Sequence, residues 1–222
     1  MVGRFTLAVA LASLLAAPTQ GAETSAAELA GALQRKYDTV RDFSADFVHT
    51  YKGGVLKRQM TERGRLTIRK PGQMRWEYVA PEKKLFVSDG TKLYSYLPED
   101  NQVIVSEMPD EDRAATPALF LAGKGSLTRD FVPSLTELPE GLPEGARALK
   151  LVPAAGQPDY EWLILAVDAK MLALRGLVFV DAQGGISTFA FTNLKENVGP
   201  ADKTFVFTPP RGVDVVTDSS RR

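Results

Sequence analysis

The sequence contains no cysteine and a single histidine, His49. Without thiols it has no disulfide to staple a small core, so the fold must hold by packing alone. One histidine and no cysteine also rule out the usual zinc sites, which need four such ligands or three plus water. There is no excess of one charge: 27 Lys and Arg balance 27 Asp and Glu. That removes the electrostatic footprint of a nucleic-acid binder and the polybasic patch of a protein held to anionic membranes. No G-x-S-x-G elbow, phosphate-binding loop or H-E-x-x-H helix is present, and carboxylate pairs without a defined pocket do not make a hydrolase. His49 lies in a strand-like stretch near a Gly-Gly turn and reads as a structural residue. No enzymatic activity and no cofactor or metal are expected.

Long apolar runs are equally scarce. The one near the start, Phe5 to Ala17, follows Arg4 and precedes small residues including Gly21 and Ala22. It is too short to span a bilayer, which takes about 20 apolar residues as a helix. The charged, apolar, small-residue order is that of a secretory signal peptide, residues 1–22; a buried N-terminal helix is the alternative. Its removal leaves residues 23–222 as a single domain, with 26 basic against 27 acidic residues. With no cysteine for a lipid anchor and no second hydrophobic span, the chain is expected to be exported and soluble.

What is present is one helix and many strands. Thr24 or Ser25 caps a helix to Val40, with Glu28 in its first turn and Leu29, Leu33, Tyr37 and Val40 as its apolar stripe. The period then switches to two. Phe43, Ala45 and Phe47 alternate with polar neighbours, as do Leu66 with Ile68 and Met74 with Trp76 and Tyr78. Strand-like runs continue at 84–88, 93–97, 103–105, 148–152, 160–167, 174–180, 186–191 and 205–207. Lys52-Gly53-Gly54, Asp89-Gly90, Pro98-Glu99-Asp100-Asn101 and Gln183-Gly184-Gly185 are hairpin connections. This order predicts an antiparallel meander, and a sheet of so many strands must curl, split or close. An acidic stretch from Ser106 to Arg113 reads as a solvated loop. After it, Thr116 caps a short apolar helix with Pro117 at its first position and Gly123 as its stop. Periodicity alone leaves two outcomes open: the helices fill the sheet's core, or they hold something against it.

Several segments are familiar in their order. Gly64-Arg65-Leu66-Thr67-Ile68-Arg69-Lys70-Pro71-Gly72-Gln73-Met74-Arg75-Trp76-Glu77-Tyr78 is followed by Pro81, Val87-Ser88-Asp89-Gly90 and Leu93-Tyr94-Ser95-Tyr96. Upstream stands Phe43-Ser44-Ala45-Asp46-Phe47; downstream stand Thr116-Pro117 and Phe205-Val206-Phe207-Thr208-Pro209-Pro210-Arg211-Gly212-Val213. This ordered set, spanning nearly all of residues 23–222, resembles the periplasmic outer-membrane lipoprotein carrier family, LolA.

The resemblance implies a mainly β (α+β) fold. This is an incomplete antiparallel β-barrel, or half-barrel, with an N-terminal helix and short lid helices covering an apolar cavity. It implies a monomeric carrier of acylated lipoproteins, released by an inner-membrane ABC transporter and delivered to an outer-membrane lipoprotein receptor. An extracytoplasmic lipid- or lipoprotein-sensing protein of the same fold is the alternative. Such sensors carry a further domain, whereas this chain ends about ten residues after Pro209-Pro210. The receptor of the same pathway is lipidated and would need a cysteine.

The acyl-cavity candidates are Phe43, Phe47, Leu66, Ile68, Met74, Trp76, Tyr78, Phe86, Tyr94, Tyr96, Leu119 and Phe120, each of which also reads as ordinary core. In the family a basic residue, typically Arg, precedes the Pro of the strand turn and holds the lid through hydrogen bonds to backbone. Here that position is Lys70, preceded by Arg69. Lys lacks the planar fork of Arg. Lys70 as latch, a contribution from Arg69, an easier opening and a plain turn cation all stay open. Met74 stands where the family often has Phe, and its adaptable side chain suits an irregular occupant.

Overall fold

The computed structural model describes residues 25–53, 59–108, 116–155 and 159–218. The expected signal peptide, the tip of the Lys52-Gly53-Gly54 turn and the acidic stretch beyond Met108 lie outside the described residues. Helix α1 (Ala26–Thr39) begins at a capping box. The Ser25 hydroxyl accepts the Glu28 N–H at 3.2 Å, and the Glu28 carboxylate accepts the Ser25 N–H at 2.8 Å. Two orphan donors of the helix start are thereby satisfied, and these bonds hold the Glu28 carboxyl below its usual range. Leu29, Ala30 and Leu33 point inward, and the helix lies against the strands at one end of the sheet.

The strands are β1 (Asp42–Lys52), β2 (Gln59–Arg69), β3 (Gln73–Ala80), β4 (Lys84–Asp89), β5 (Lys92–Leu97) and β6 (Gln102–Glu107). After helix α2 (Pro117–Leu121) come β7 (Phe131–Thr136), β8 (Ala146–Pro153), β9 (Tyr160–Asp168), β10 (Leu174–Asp181), β11 (Ile186–Glu196) and β12 (Asp214–Asp218). They form one open sheet in the order β12-β6-β5-β4-β3-β2-β1-β11-β10-β9-β8-β7. Two antiparallel meanders therefore meet at β1 and β11, and β12 returns parallel to β6. The turns use the residues their conformations demand: Gly90 and Gly184 have φ of +101° and +76°.

Two strands were not anticipated. Strand β7 contains Pro133, which cannot donate to a ladder and is confined to an edge, the place β7 occupies. Strand β12 is exposed along most of its length, so no apolar alternation marks it. Two expectations are corrected. Ser106 and Glu107 end strand β6 instead of opening a solvated loop, and Met108 after them is buried. Phe205 to Phe207 is not a strand: a 3₁₀ turn at Asp202–Phe205 precedes extended chain. The Arg69 guanidinium explains this, since it holds Asp202 at 2.6 Å and lies 4.8 Å above the Phe205 ring. These contacts draw the segment onto β3 and β4 as a flat cover.

Alternation gives the sheet an inner face that carries the main core. Leu66, Ile68, Leu149, Leu151, Leu163, Leu177 and Phe191 are fully buried there with α1 and α2 above them. Gly64 is required by this packing. A Cβ at that position would lie 2.5 Å from the Phe47 ring and 2.3 Å from the Glu77 carbonyl oxygen. The outer face has a smaller core in which Leu142 of the 137–145 loop covers Ala148, Ile164, Ala166 and Val178.

Candidate functional site

Beneath α2 the inner face is not filled. A cavity of about 300 Å³ is walled by Met74, Trp76 and Tyr78 of β3, Phe86 of β4 and Leu93 of β5. Leu177 and Phe179 of β10 and Phe189 of β11 form the opposite wall, and Thr116 to Leu119 the cover. Strands β5 and β10 stand six positions apart in the sheet, about 29 Å if it were flat at the usual strand spacing. Both line one cavity, so the sheet is curled around it. Ser106, Glu107 and Asp159 add polar groups to the lining.

Five of the twelve candidates meet in this cavity: Met74, Trp76, Tyr78, Phe86 and Leu119. Phe43 and Phe120 instead line a space of about 40 Å³ under α1, with Leu33, Tyr37 and Val40. Phe47, Leu66 and Ile68 are buried behind the wall, where Phe47 packs against Trp76, Tyr78 and Phe189 at 5.5, 4.9 and 5.7 Å. Tyr94 and Tyr96 are placed differently. They lie on the outer face against Phe207, at 5.6 and 5.7 Å, because Leu93 takes the inward position of β5. Leu177, Phe179 and Phe189 were missed, although alternation within 174–180 and 186–191 points them to the face shared with Phe191.

Polar groups gather behind the Tyr78–Phe189 wall. Glu62, nearly fully buried, accepts from Lys84 Nζ at 2.6 Å and lies 3.2 Å from His49 Nδ1. His49 Nε2 is 3.3 Å from the Ser187 hydroxyl, and the imidazole stacks on Phe189 at 4.0 Å. Burial lowers the His49 pKa below its usual value; Glu62 opposes this and Lys84 adds to it. His49 is thus a partnered structural residue. The Trp76 indole N–H is buried without a hydrogen-bond partner among the described residues, and its ring packs against those of Phe47 and Phe189. No group of His, Asp and Glu among the described residues is arranged to hold a metal ion.

Its own cap, the β2–β3 turn and α1 hold α2 in place. Its N-terminus is capped by Thr116, whose hydroxyl accepts the Leu119 N–H at 3.2 Å. At its C-terminus the Gly72 N–H donates to the Ala122 carbonyl at 2.8 Å. The Tyr37 hydroxyl donates to the Leu121 carbonyl and, at 3.3 Å, to that of Phe120. The Tyr37 ring stacks on Phe120 at 5.9 Å, and burial raises its pKa well above that of a free phenol. The Lys70 ammonium donates to the Tyr37 carbonyl and sits 3.7 Å above the Tyr37 ring, while its stem fills the space beside Gly123. Arg69 turns away from α2, toward Gln73, Pro200 and Asp202.

Among the described residues, the cavity lining is mainly apolar. Residues 38–208 match the family model described as outer membrane lipoprotein carrier protein LolA. An outer-membrane lipoprotein carrier protein of Chromohalobacter salexigens is 32% identical over 216 residues, covering 96% of this chain and 98% of that one. One from Methylococcus capsulatus is 29% identical over 181 residues, 82% of this chain and 84% of that one. Among solved structures, an uncharacterized conserved protein from Thermus thermophilus is similar with a TM-score of 0.50 and 14% identity, over 86% of this chain and 98% of that one. With the family model covering most of its length, this chain belongs to the LolA family of outer-membrane lipoprotein carrier proteins.

Proposed function

We propose that this chain is a periplasmic carrier, accepting acylated lipoproteins released from the inner membrane by an ABC transporter and passing them to an outer-membrane receptor. The curled sheet is then the half-barrel and α2 its lid. The observation that carries this reading is the aromatic-walled cavity of about 300 Å³ under a short apolar helix. Each acyl methylene in water costs about 0.8 kcal/mol, so three long chains cost on the order of 30 kcal/mol. A protein that moves such cargo must cover those chains. It must also hide its own apolar surface when empty, since large exposed patches drive aggregation.

The size of the cavity says how. It is twice the roughly 150 Å³ that holds one benzene in an engineered protein core. About a dozen carbon atoms fit on that scale, less than one long acyl chain. On this reading α2 moves aside for cargo to enter. The names of the relatives support the lipoprotein part of the reading.

The test is release. Added to spheroplasts, the protein is expected to bring outer-membrane-destined lipoproteins into solution as one-to-one complexes. Met74→Glu, which places a charge in the wall, is expected to lower release at least tenfold with the circular dichroism of the fold retained. If lipoproteins stay on the inner membrane while an authentic carrier removes them, the reading fails.

A further inference from the structure

We propose that the Tyr37 hydroxyl is the latch that keeps α2 closed, and that Lys70 positions Tyr37 instead of gripping α2 itself. This rests on the carrier reading above only for why α2 should open. The arrangement itself is visible in the closed protein.

Helix α2 has five residues, none of them charged. A helix so short has no stability of its own. The carbonyls of Ala118, Leu119 and Phe120 accept the N–H groups of Ala122, Lys124 and Gly123, whereas those of Leu121 and Ala122 take their donors from α1 and the β2–β3 turn. Tyr37 supplies its hydroxyl to Leu121, with a longer approach of 3.3 Å to Phe120, and Gly72 supplies a backbone N–H to Ala122. Only the first of these two contacts is a side chain that can swing away. The phenol also stacks on Phe120, so one residue of α1 meets both the backbone and an apolar side chain of α2.

Lys70 occupies the place where the resemblance implies a basic residue bonded to lid backbone. Its ammonium is committed elsewhere, to the Tyr37 carbonyl and the face of the Tyr37 ring. A compact ammonium offers one centre of charge, whereas a guanidinium offers a fork that spans several carbonyls. Here the work is divided: the cation fixes the phenol from one side, and the phenol reaches the lid from the other. Gly123 completes the unit. Its φ of +86° favours glycine, and a Cβ there would stand 2.5 Å from Lys70 Cδ.

The experiment is amide hydrogen exchange on the ligand-free protein, comparing wild type with Tyr37→Phe and Lys70→Met. Tyr37→Phe keeps the ring and removes the donor. Exchange at Gly72, Ala122 and Gly123 is expected to quicken about tenfold, the effect of one lost buried hydrogen bond, with β9 and β10 unchanged. Lys70→Met keeps the stem beside Gly123 and removes the ammonium; it is expected to quicken the same amides by a smaller factor. Binding of a dansylated fatty acid should speed up in the same order, because the open fraction has grown. Unchanged exchange at α2 would overturn the proposal, as would uniform acceleration through β9 and β10, which would make Tyr37 an ordinary core residue. Neither result depends on lipoprotein release. If release fails and the local acceleration holds, the latch stands and the carrier reading falls.

Discussion

One sheet face meets two helices in two ways. Under α1 the packing is nearly complete: a helix of 14 residues drives Leu29, Ala30 and Leu33 into the sheet and leaves about 40 Å³. Under α2, a helix of five residues, about 300 Å³ remains between aromatic walls. Both regions are lined mainly by apolar side chains. The difference lies in how much helix covers how much sheet. A long amphipathic helix brings enough side chains to fill the space below it. A single turn covers the opening without filling it. The first region stabilises the fold, and the second is available for something else.

Truncating a leucine on each side gives the largest expected contrast. Leu33→Ala removes a buried side chain from the well-packed region and is expected to cost about 2–5 kcal/mol of unfolding free energy. Leu119 is just as buried but borders an existing void, where it already lacks neighbours on one side. Leu119→Ala is expected to cost about 2 kcal/mol, the lower end of such changes. Urea unfolding of both variants decides the matter. Equal losses would mean that the region under α2 is packed like the rest and that the cavity is no reservoir of space.

A smaller effect is expected where the cavity wall ends and the polar cluster of Glu62, His49, Lys84 and Ser187 begins. Burial holds the folded-state pKa of His49 below its unfolded value near 6.5. The folded protein then binds fewer protons than the unfolded chain between those two values, and stability rises with pH there. The contribution is fully present above pH 6.5 and is lost as pH falls toward the lowered folded value. Its slope is at most about 1.4 kcal/mol per pH unit. Carboxylates held low, such as Asp46 and Asp89, act in a separate window below about pH 4. Unfolding free energy measured from pH 5 to 7.5 should show the slope in wild type and lose it in His49→Gln. Identical slopes would mean that the cluster tolerates the imidazolium, with Glu62 neutralising it.

Much of this contrast was legible in the sequence. Ser25 with Glu28 marked α1, and Thr116-Pro117 with Gly123 marked α2, because caps and breakers are local chemistry. Met74, Trp76 and Tyr78 showed one face of β3 because polar residues separate them. Strand β12 was not legible: it pairs with β6 but buries little, so its residues carry no trace of the pairing. Nor was the job of Tyr37. It stood in the apolar stripe of α1, and only the fold brings its hydroxyl to carbonyls 83 and 84 residues away. Lys70 and Arg69, adjacent in sequence, face opposite sides of the sheet. One turns toward α1 and Gly123, the other toward the C-terminal cover.

Strand β5 supplies the smallest expected effect and the sharpest boundary to the cavity. Leu93, Tyr94, Ser95, Tyr96 and Leu97 place apolar residues on both faces, so alternation alone cannot say which set points inward. The larger aromatic rings suggest Tyr94 and Tyr96, but the structure turns Leu93 inward and sets both tyrosines against Phe207. The outer site is a shallow aromatic contact, half-buried under extended chain. Tyr94→Ser should therefore loosen the C-terminal cover and leave binding of a dansylated fatty acid within about twofold of wild type, since no wall atom has moved. Phe86→Ser, one strand away but facing inward, should weaken the same binding by far more. If Tyr94→Ser weakened binding as much as Phe86→Ser, the two faces of β5 would not be energetically separate, and the cavity would depend on the C-terminal cover as much as on α2.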